Sequence, residues 1–246
     1  MSLFQLCYGP EIHSIFHTIQ SYPNIRKEEL VNKFQYKQDG NIDSLIEETL
    51  QFLDSLKVIN INENKEIKAC ETNLDVVDIL KKLNLISERS NNPGDPNYVF
   101  TNIYIDLFVK PNQLFIGDLH YEINKHYELV SISKEKVNAW KRMMEYFGLG
   151  YRYNGGFYAL PNYNLLKSII RRIGKWDGPL QQFFERVIYP IIPCLYKGDI
   201  YRGIVFGLLY LNKVGLVQLS RKQDIPFGSF GGNNEWNWIT VRSEGE

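Results

Sequence analysis

The chain has 246 residues, of which 44% are hydrophobic and 14% aromatic, so it holds enough apolar side chains to bury proper cores. This composition excludes a disordered chain. The net charge is zero, yet residues 1–130 hold 12 Lys/Arg against 19 Asp/Glu, whereas residues 131–246 hold 16 against 9. The positive excess is concentrated in residues 131–175, which predicts a specific anionic partner for that segment.

The N-terminus lacks a charged-then-apolar leader, and no apolar run reaches about 18 residues, so we expect a cytoplasmic protein without a membrane span. Cys7, Cys70 and Cys194 are isolated from one another and form no C-x-x-C pair. This spacing predicts reduced, packed thiols rather than disulfides or a structural zinc site.

The first predicted unit, residues 1–72, combines three helices and a hairpin. The predicted helices start near Glu11, Arg26 and Asn41, and the predicted strands are Val58–Ile61 and Glu66–Lys68. Helix, short helix, long helix and hairpin is the order of a winged helix-turn-helix. The exposed side of the third helix carries Asp43, Glu47, Glu48 and Asp54. Because these carboxylates would repel phosphate, we expect this unit to bind protein.

Residues 73–97 are predicted to be a connecting helix, 74–86, followed by a loop with two prolines and a glycine. The second unit, 98–175, is predicted to contain helices near 99–109 and 113–127. Its most legible part is Ser131–Pro161, a helix that runs into a tight hairpin. Val137, Trp140, Met144 and Phe147 form one apolar helical face, and Asn154-Gly155-Gly156 is typical of a hairpin turn.

Several cations are predicted to converge on this helix, its hairpin and the basic helix Tyr163–Ile173. The predicted nucleic-acid-binding residues are Lys134, Asn138, Lys141, Arg142, Arg152, Arg171 and Arg172. Two alternatives remain open, namely an ordinary solvated helix face and an acidic protein partner. The aromatic residues of the helix and hairpin are expected to lie in the core rather than to stack on bases.

The third unit, 176–246, begins after the turn signal Asp177-Gly178-Pro179 and is predicted to hold helices near 179–189 and 199–214. Leu216–Leu219 and Trp236–Val241 are predicted strands around a long polar turn. Trp236 and Trp238 lie on one side of a strand near Phe227 and Phe230. They are expected either to fill the core of this unit or to anchor a protein partner.

Trp140, Phe147-Gly148-Leu149-Gly150, Gly155-Gly156-Phe157 and Pro161 carry a family resemblance, and the third unit adds to it. The pattern resembles the tandem winged-helix accessory proteins of bacterial anti-phage and DNA-restriction clusters. Examples are the G protein of the deazapurine-DNA cluster and the small subunit of SMC-type systems such as Lamassu. The resemblance implies an α+β fold, mainly α with small β-hairpins, and protein partners that include an SMC-like ATPase and a nuclease effector.

No catalytic, cofactor or metal site is predicted. His13 and His17 are four residues apart but lack a third ligand, and Glu66 and Lys68 with Asp54 match a nuclease pattern only in part. We therefore expect a non-enzymatic subunit of a multiprotein DNA-defence complex that binds proteins and the backbone of double-stranded DNA. The alternatives are a free-standing winged-helix transcriptional regulator and, if those carboxylates gather at one site, a hydrolase.

Overall fold

Helix α1 (Pro10–Ser21) opens the first unit of the computed structural model, which describes residues 2–36, 40–225 and 235–242. Its predicted apolar face, from Ile12 to Ile19, is buried. The unit continues with β1 (Ile25–Arg26), α2 (Lys27–Phe34), α3 (Asp43–Ser55), β2 (Ile59–Ile61) and β3 (Glu66–Ala69). Strand β3 pairs antiparallel with both β2 and β1, so the two-residue strand β1 turns the predicted hairpin into a three-stranded sheet.

Helix α4 (Val76–Arg89) connects the first unit to the second, as predicted. Asp75 and Asp78 form a reciprocal capping box at its start, which satisfies backbone N–H groups that the helix itself leaves free. The predicted loop then leads to Asp95, whose side chain caps the next helix by accepting a hydrogen bond from the backbone N–H of Asn97 at 2.8 Å.

The second unit contains α5 (Pro96–Tyr104), a π-helical continuation (Ile105–Val109), β4 (Phe115–Ile116), α6 (Leu119–His126), α7 (Lys134–Tyr146), β5 (Tyr151–Tyr153) and β6 (Gly156–Tyr158). The prediction of a helix from residue 113 was wrong over its first six residues. Strand β4 lies there and pairs with β6. Asp118 then starts α6 by accepting a hydrogen bond from the backbone N–H of Tyr121 at 3.0 Å.

The third unit contains α8 (Tyr163–Ile173), β7 (Trp176–Pro179), α9 (Leu180–Phe183) with a π-helical continuation (Phe184–Ile188), β8 (Leu195–Tyr196), β9 (Asp199–Ile200), α10 (Arg202–Lys213), β10 (Val217–Ser220) and β11 (Trp238–Val241). The turn signal at Asp177-Gly178-Pro179 misled the prediction, because these residues belong to β7. Strand β7 pairs along its length with β11.

The first two units share one order of elements: a helix, a strand, two helices and two strands. The third unit follows the same order with one insertion, the short hairpin of β8 and β9 between its last two helices. In each unit the first strand pairs with the last strand, giving the sheet orders β1-β3-β2, β4-β6-β5 and β7-β11-β10. Helix α8, which the sequence assigned to the second unit, takes in the third unit the place that α1 and α5 take in theirs, because it packs against α10. The predicted α+β class, largely helical with small antiparallel hairpins, is confirmed.

A single hydrophobic core runs through all three units. Phe52 of α3 lies against Phe100 of α5, with ring centroids 6.4 Å apart, and Tyr104 lies against Tyr201 at 6.3 Å. Cys7 and Cys194 are buried, whereas Cys70 is exposed, contrary to the predicted packing of all the thiols. Within the described ranges, no helix has the length and apolarity needed to cross a membrane.

Candidate nucleic-acid interface

Helix α7 is held by the core of its own unit along the predicted apolar face. Val137, Trp140 and Met144 are buried, and the indole Nε1 of Trp140 donates a hydrogen bond to the carbonyl oxygen of Phe100 at 3.0 Å. Ser133 caps the helix by accepting a hydrogen bond from the backbone N–H of Lys136. These contacts fix the rotation of α7 and therefore decide which side chains face outward.

A second side of α7 packs against the N-terminal part of the chain. Ala139 and Met143 are fully buried although they lie outside the predicted apolar face. On the same side, the guanidinium of Arg142 lies 4.2 Å from the centroid of the Tyr8 ring, and the Tyr146 hydroxyl lies 2.8 Å from Nδ1 of His13. The predicted recognition helix is thus partly covered from within the same chain.

The third side of α7 runs along the hairpin of β5 and β6. Nζ of Lys141 donates a hydrogen bond to the carbonyl oxygen of Gly155 at the hairpin turn, at 2.6 Å. One turn further on, Oε2 of Glu145 accepts a hydrogen bond from Nε of Arg152 at 2.6 Å. The N-terminal half of α7 extends beyond these contacts, and Lys134 lies exposed there.

The sequence predicted that Lys141 lies on an exposed face of the helix. This prediction was wrong, because only 7% of the residue is accessible to solvent. Burial lowers the pKa of its ammonium group, and the nearby positive charges of Arg152, Lys134 and Arg142 lower it further. The same repulsion shows that each of these three cations lies within electrostatic reach of Lys141, and Asp118 lies within reach of it as well. The structure therefore brings four of the predicted residues to one place, although Lys141 itself serves the hairpin.

Arg172 is also engaged within the fold. Its guanidinium forms ion pairs with Asp75 and Asp78 at the start of α4, with 2.7 Å between its Nη1 and Oδ1 of Asp78. This pairing raises the pKa of Arg172 and lowers that of Asp78. Arg171 is exposed on the neighbouring position of α8, and Asn138 is half-buried on α7.

The structure leaves a smaller acidic surface on α3 than the sequence predicted. Glu47 forms an ion pair with Lys27 at 2.7 Å, which lowers its pKa, and Glu48 accepts a hydrogen bond from the backbone N–H of Leu6. Asp43 is exposed and Asp54 is half-buried. Two of the four carboxylates therefore have partners inside the chain.

The tryptophans of the third unit are only half-buried. Trp236 packs against the core, and Nε1 of Trp238 donates a hydrogen bond to Oδ1 of Asp177 at 2.7 Å. Nζ of Lys222 lies 5.4 Å from the centroid of the Trp238 ring. Phe227 and Phe230, which the sequence placed beside these rings, lie outside the described residues.

Two exposed apolar surfaces in the structure were not predicted from the sequence. Helix α10 exposes Phe206 and Tyr210, and Val214 is exposed directly after its end. These residues are spaced by four, and this spacing is a signal that could have revealed a second apolar face. On the hairpin of the second unit, Phe157 is buried as expected, but Tyr151 and Tyr153 are exposed. The prediction that the hairpin aromatics belong to the core was therefore wrong for these two tyrosines.

The residues considered for catalysis are engaged in local structure. His13 contacts Tyr146, and Glu66 accepts a hydrogen bond from the side-chain amide of Asn62 at 2.8 Å. In the part of the chain that the structure describes, no group of three His, Cys, Asp or Glu side chains is arranged to hold a metal ion. Comparisons of the chain with protein-family models, curated proteins and solved structures found no match.

Proposed function

We propose that this chain is a non-enzymatic binding subunit built from three fused winged helices, whose second unit contacts the backbone of double-stranded DNA. The recurrence of a helix, a strand, two helices and a hairpin in each unit supports the winged-helix assignment, because this is the order of elements in that fold. In a winged helix, the second of the two helices and the hairpin form the usual docking surface. In the second unit these two elements are α7 and the β5–β6 hairpin.

The observation that carries the proposal is the convergence of cations where α7 meets this hairpin. We call this surface the α7 patch and define it as Lys134, Arg142 and Arg152, whose charges reach Lys141, together with the exposed Lys136 in the first turn of α7. Arg142 adjoins the Tyr8 ring rather than the hairpin. The surface ion pair between Arg152 and Glu145 is about half exposed at its arginine, so it exchanges readily for a phosphate. The sequence predicted that Lys141 and Arg172 contact phosphates. We leave both out of the α7 patch because their side chains pair with other groups of the same chain.

Proteins are proposed to bind at the first and third units. Asp43 and Asp54 supply what remains of the acidic surface of α3, and Trp236 and Trp238 border the sheet of the third unit. The exposed side chains of Phe206 and Tyr210 on α10 add apolar area of the kind that protein interfaces bury.

The biological role proposed from the family resemblance is that of a cytoplasmic accessory subunit in a bacterial anti-phage or restriction complex. Its partners would then be other subunits, including an SMC-like ATPase and a nuclease effector. A transcriptional regulator usually reads a palindrome as a symmetric dimer through equivalent helices. Here α3 is acidic, α7 is basic and α10 is largely apolar on the exposed side, which favours an asymmetric assembly.

The test is the salt dependence of binding to a blunt 24-base-pair duplex, measured by fluorescence anisotropy between about 50 and 300 mM salt. Three or four phosphate contacts predict a slope of log affinity against log salt of about −3 to −4. The variant Lys134→Glu, Lys136→Glu, Arg152→Glu is expected to lose binding while its thermal melt changes little.

The control carries the same change in net charge on exposed lysines elsewhere, as Lys68→Glu, Lys81→Glu and Lys213→Glu. It should weaken binding far less than the α7-patch variant, because those side chains lie on the first unit, the connecting helix and the third unit. If both variants lose the same affinity for the duplex, the loss follows from net charge alone. That result would contradict a specific DNA-binding surface on the second unit.

A further inference from the structure

The outer face of the β4-β6-β5 sheet carries a row of aromatic side chains, one from each strand. Phe115, Tyr158 and Tyr151 are paired across the three strands in the same register. The ring centroids of Phe115 and Tyr158 are 4.4 Å apart, and those of Tyr158 and Tyr151 are 5.1 Å apart. Their planes differ by 31° and 22°, so Tyr151 and Tyr158 stack on each other and Phe115 lies tilted against Tyr158.

The stack is open at one end. Strand β5 is an edge strand of this sheet, so in the part of the chain that the structure describes Tyr151 has a cross-strand neighbour on the β6 side and none on the other. Tyr151 is 43% exposed, and Tyr153, two residues further along the same strand, is 53% exposed. Two aromatic rings on the outer face of a hairpin are therefore available to a further flat group.

Cations lie across the strand from these rings, on the face of β5 that packs against α7. Arg152 stands between Tyr151 and Tyr153 in the sequence and reaches the opposite face of the strand, where it pairs with Glu145 of α7. Lys134 and Arg142 lie close enough to Lys141 for their charges to repel its ammonium group. A flexible single strand that leaves the α7 patch has to pass around the edge strand β5 to reach the exposed tyrosine rings on its outer face.

We propose that Tyr151 and Tyr153 stack on unpaired bases, so that the second unit binds a junction between duplex and single-stranded DNA. The inference rests on the proposed function, because the α7 patch supplies the contacts to the phosphates. Positive charge beside exposed aromatic rings is the combination with which proteins bind single strands, since every base offers a flat face whatever its sequence. An apolar protein surface would match the rings but not the cations across the strand from them.

The test compares three fluorescent ligands that share one 20-base-pair duplex: a blunt form, a form with a tail of six thymidines, and a form with a tail of six abasic residues. The abasic tail carries the same phosphates without bases. The proposal predicts that the thymidine tail strengthens binding at least about tenfold over the blunt duplex, whereas the abasic tail gives only a small gain. Equal affinities for the two tailed ligands would overturn it.

Variants assign the gain to the rings. Tyr151→Leu with Tyr153→Leu keeps apolar side chains but removes the rings, and it should lose the advantage of the thymidine tail while binding the blunt duplex as before. Tyr151→Phe with Tyr153→Phe should retain the advantage and shows that the hairpin tolerates substitution. Tyr22→Leu is the matched control, because Tyr22 is 51% exposed in the first unit.

The outcomes separate this inference from the proposed function. Binding of the blunt duplex with no preference for the thymidine tail contradicts the stacking role and leaves the α7 patch intact. Binding of the thymidine tail without binding of the blunt duplex supports stacking and contradicts the duplex contact. If light scattering shows self-association that the leucine variant abolishes, and no ligand prefers bases, the rings form a protein interface and the inference is wrong.

Discussion

Nζ of Lys141 donates a hydrogen bond to the carbonyl oxygen of Gly155 at 2.6 Å, which ties the middle of α7 to the turn of the β5–β6 hairpin. Gly155 has a φ of 80°, a left-handed conformation that suits glycine in such a turn. Lys141, which the sequence predicted to bind DNA, thus positions the hairpin that we propose to contact DNA.

Replacing Lys141 by Met is expected to loosen the hairpin. The methionine keeps most of the buried stem but removes a hydrogen bond from a charged donor, which costs about 1–2 kcal/mol of unfolding free energy. Chemical denaturation measures this loss. Lys134→Met, at an exposed position of the same helix, should stay within about 0.5 kcal/mol, and an equal loss in both variants would refute the bracing role.

Helix α10 approaches the second unit closely at Gly203. A Cβ atom added there would lie 2.5 Å from the carbonyl oxygen of Ala159, a backbone atom that cannot move freely. We expect Gly203→Ala to destabilise the protein by about 1–3 kcal/mol, although alanine favours helix elsewhere. Gly207→Ala meets chiefly the flexible end of Leu166 and should cost less, so the reverse ranking in thermal melts would contradict this packing.

The ion pairs of Arg172 are expected to stabilise the contact between α4 and α8. Because its side chain is about one-third exposed, Arg172→Ala should cost only about 1 kcal/mol, against almost nothing for Lys81→Ala on the exposed side of α4. The pKa of Asp78 is lowered below its ordinary value of 3.8, so its contribution is present above about that pH and is lost as the pH falls further. The difference between wild type and variant should therefore shrink in acid.

His13 makes the contact between α1 and α7 sensitive to pH. Burial lowers its pKa from the ordinary value of 6.5, and the charge of His17 lowers it further, while Asp75 opposes the shift. Below pH 6.5 the unfolded chain binds this proton more readily than the folded chain, so stability falls as the pH drops. Between pH 7.5 and 5.5, the melting temperature of the wild type should fall further than that of His13→Gln, and identical shifts would exclude this role.

Much of the fold could be predicted because the helices follow local patterns. The apolar spacing of α1 and α8 and the glycine-rich turn after β5 depend on neighbours in the sequence. The strands β1 and β4 could not be predicted, because each has two residues and exists only through pairing with a strand about 40 residues away. Asp177-Gly178-Pro179 has turn composition, and distant contacts made it a strand.

The DNA-binding role of the candidate site stays a prediction, and the structure shows only how its residues are engaged. The charge segregation along the chain located the second unit, and the structure brings Lys134, Arg142 and Arg152 together there. Burial depends on tertiary packing, so the helical spacing of α7 could not show that Lys141 is enclosed or that Arg172 is paired with α4. For the same reason, the exposure of Tyr151 and Tyr153 emerged only from the structure.

Amide hydrogen exchange of the full chain, with and without the 24-base-pair duplex, tests most directly whether the second unit contacts DNA. We expect slower exchange on binding in the first turns of α7, around Lys134 to Asn138, and in the hairpin from Tyr151 to Gly156, with little change in α3 or α10. Protection confined to the first or third unit, or no protection at saturating duplex, would contradict a DNA-binding role for the second unit.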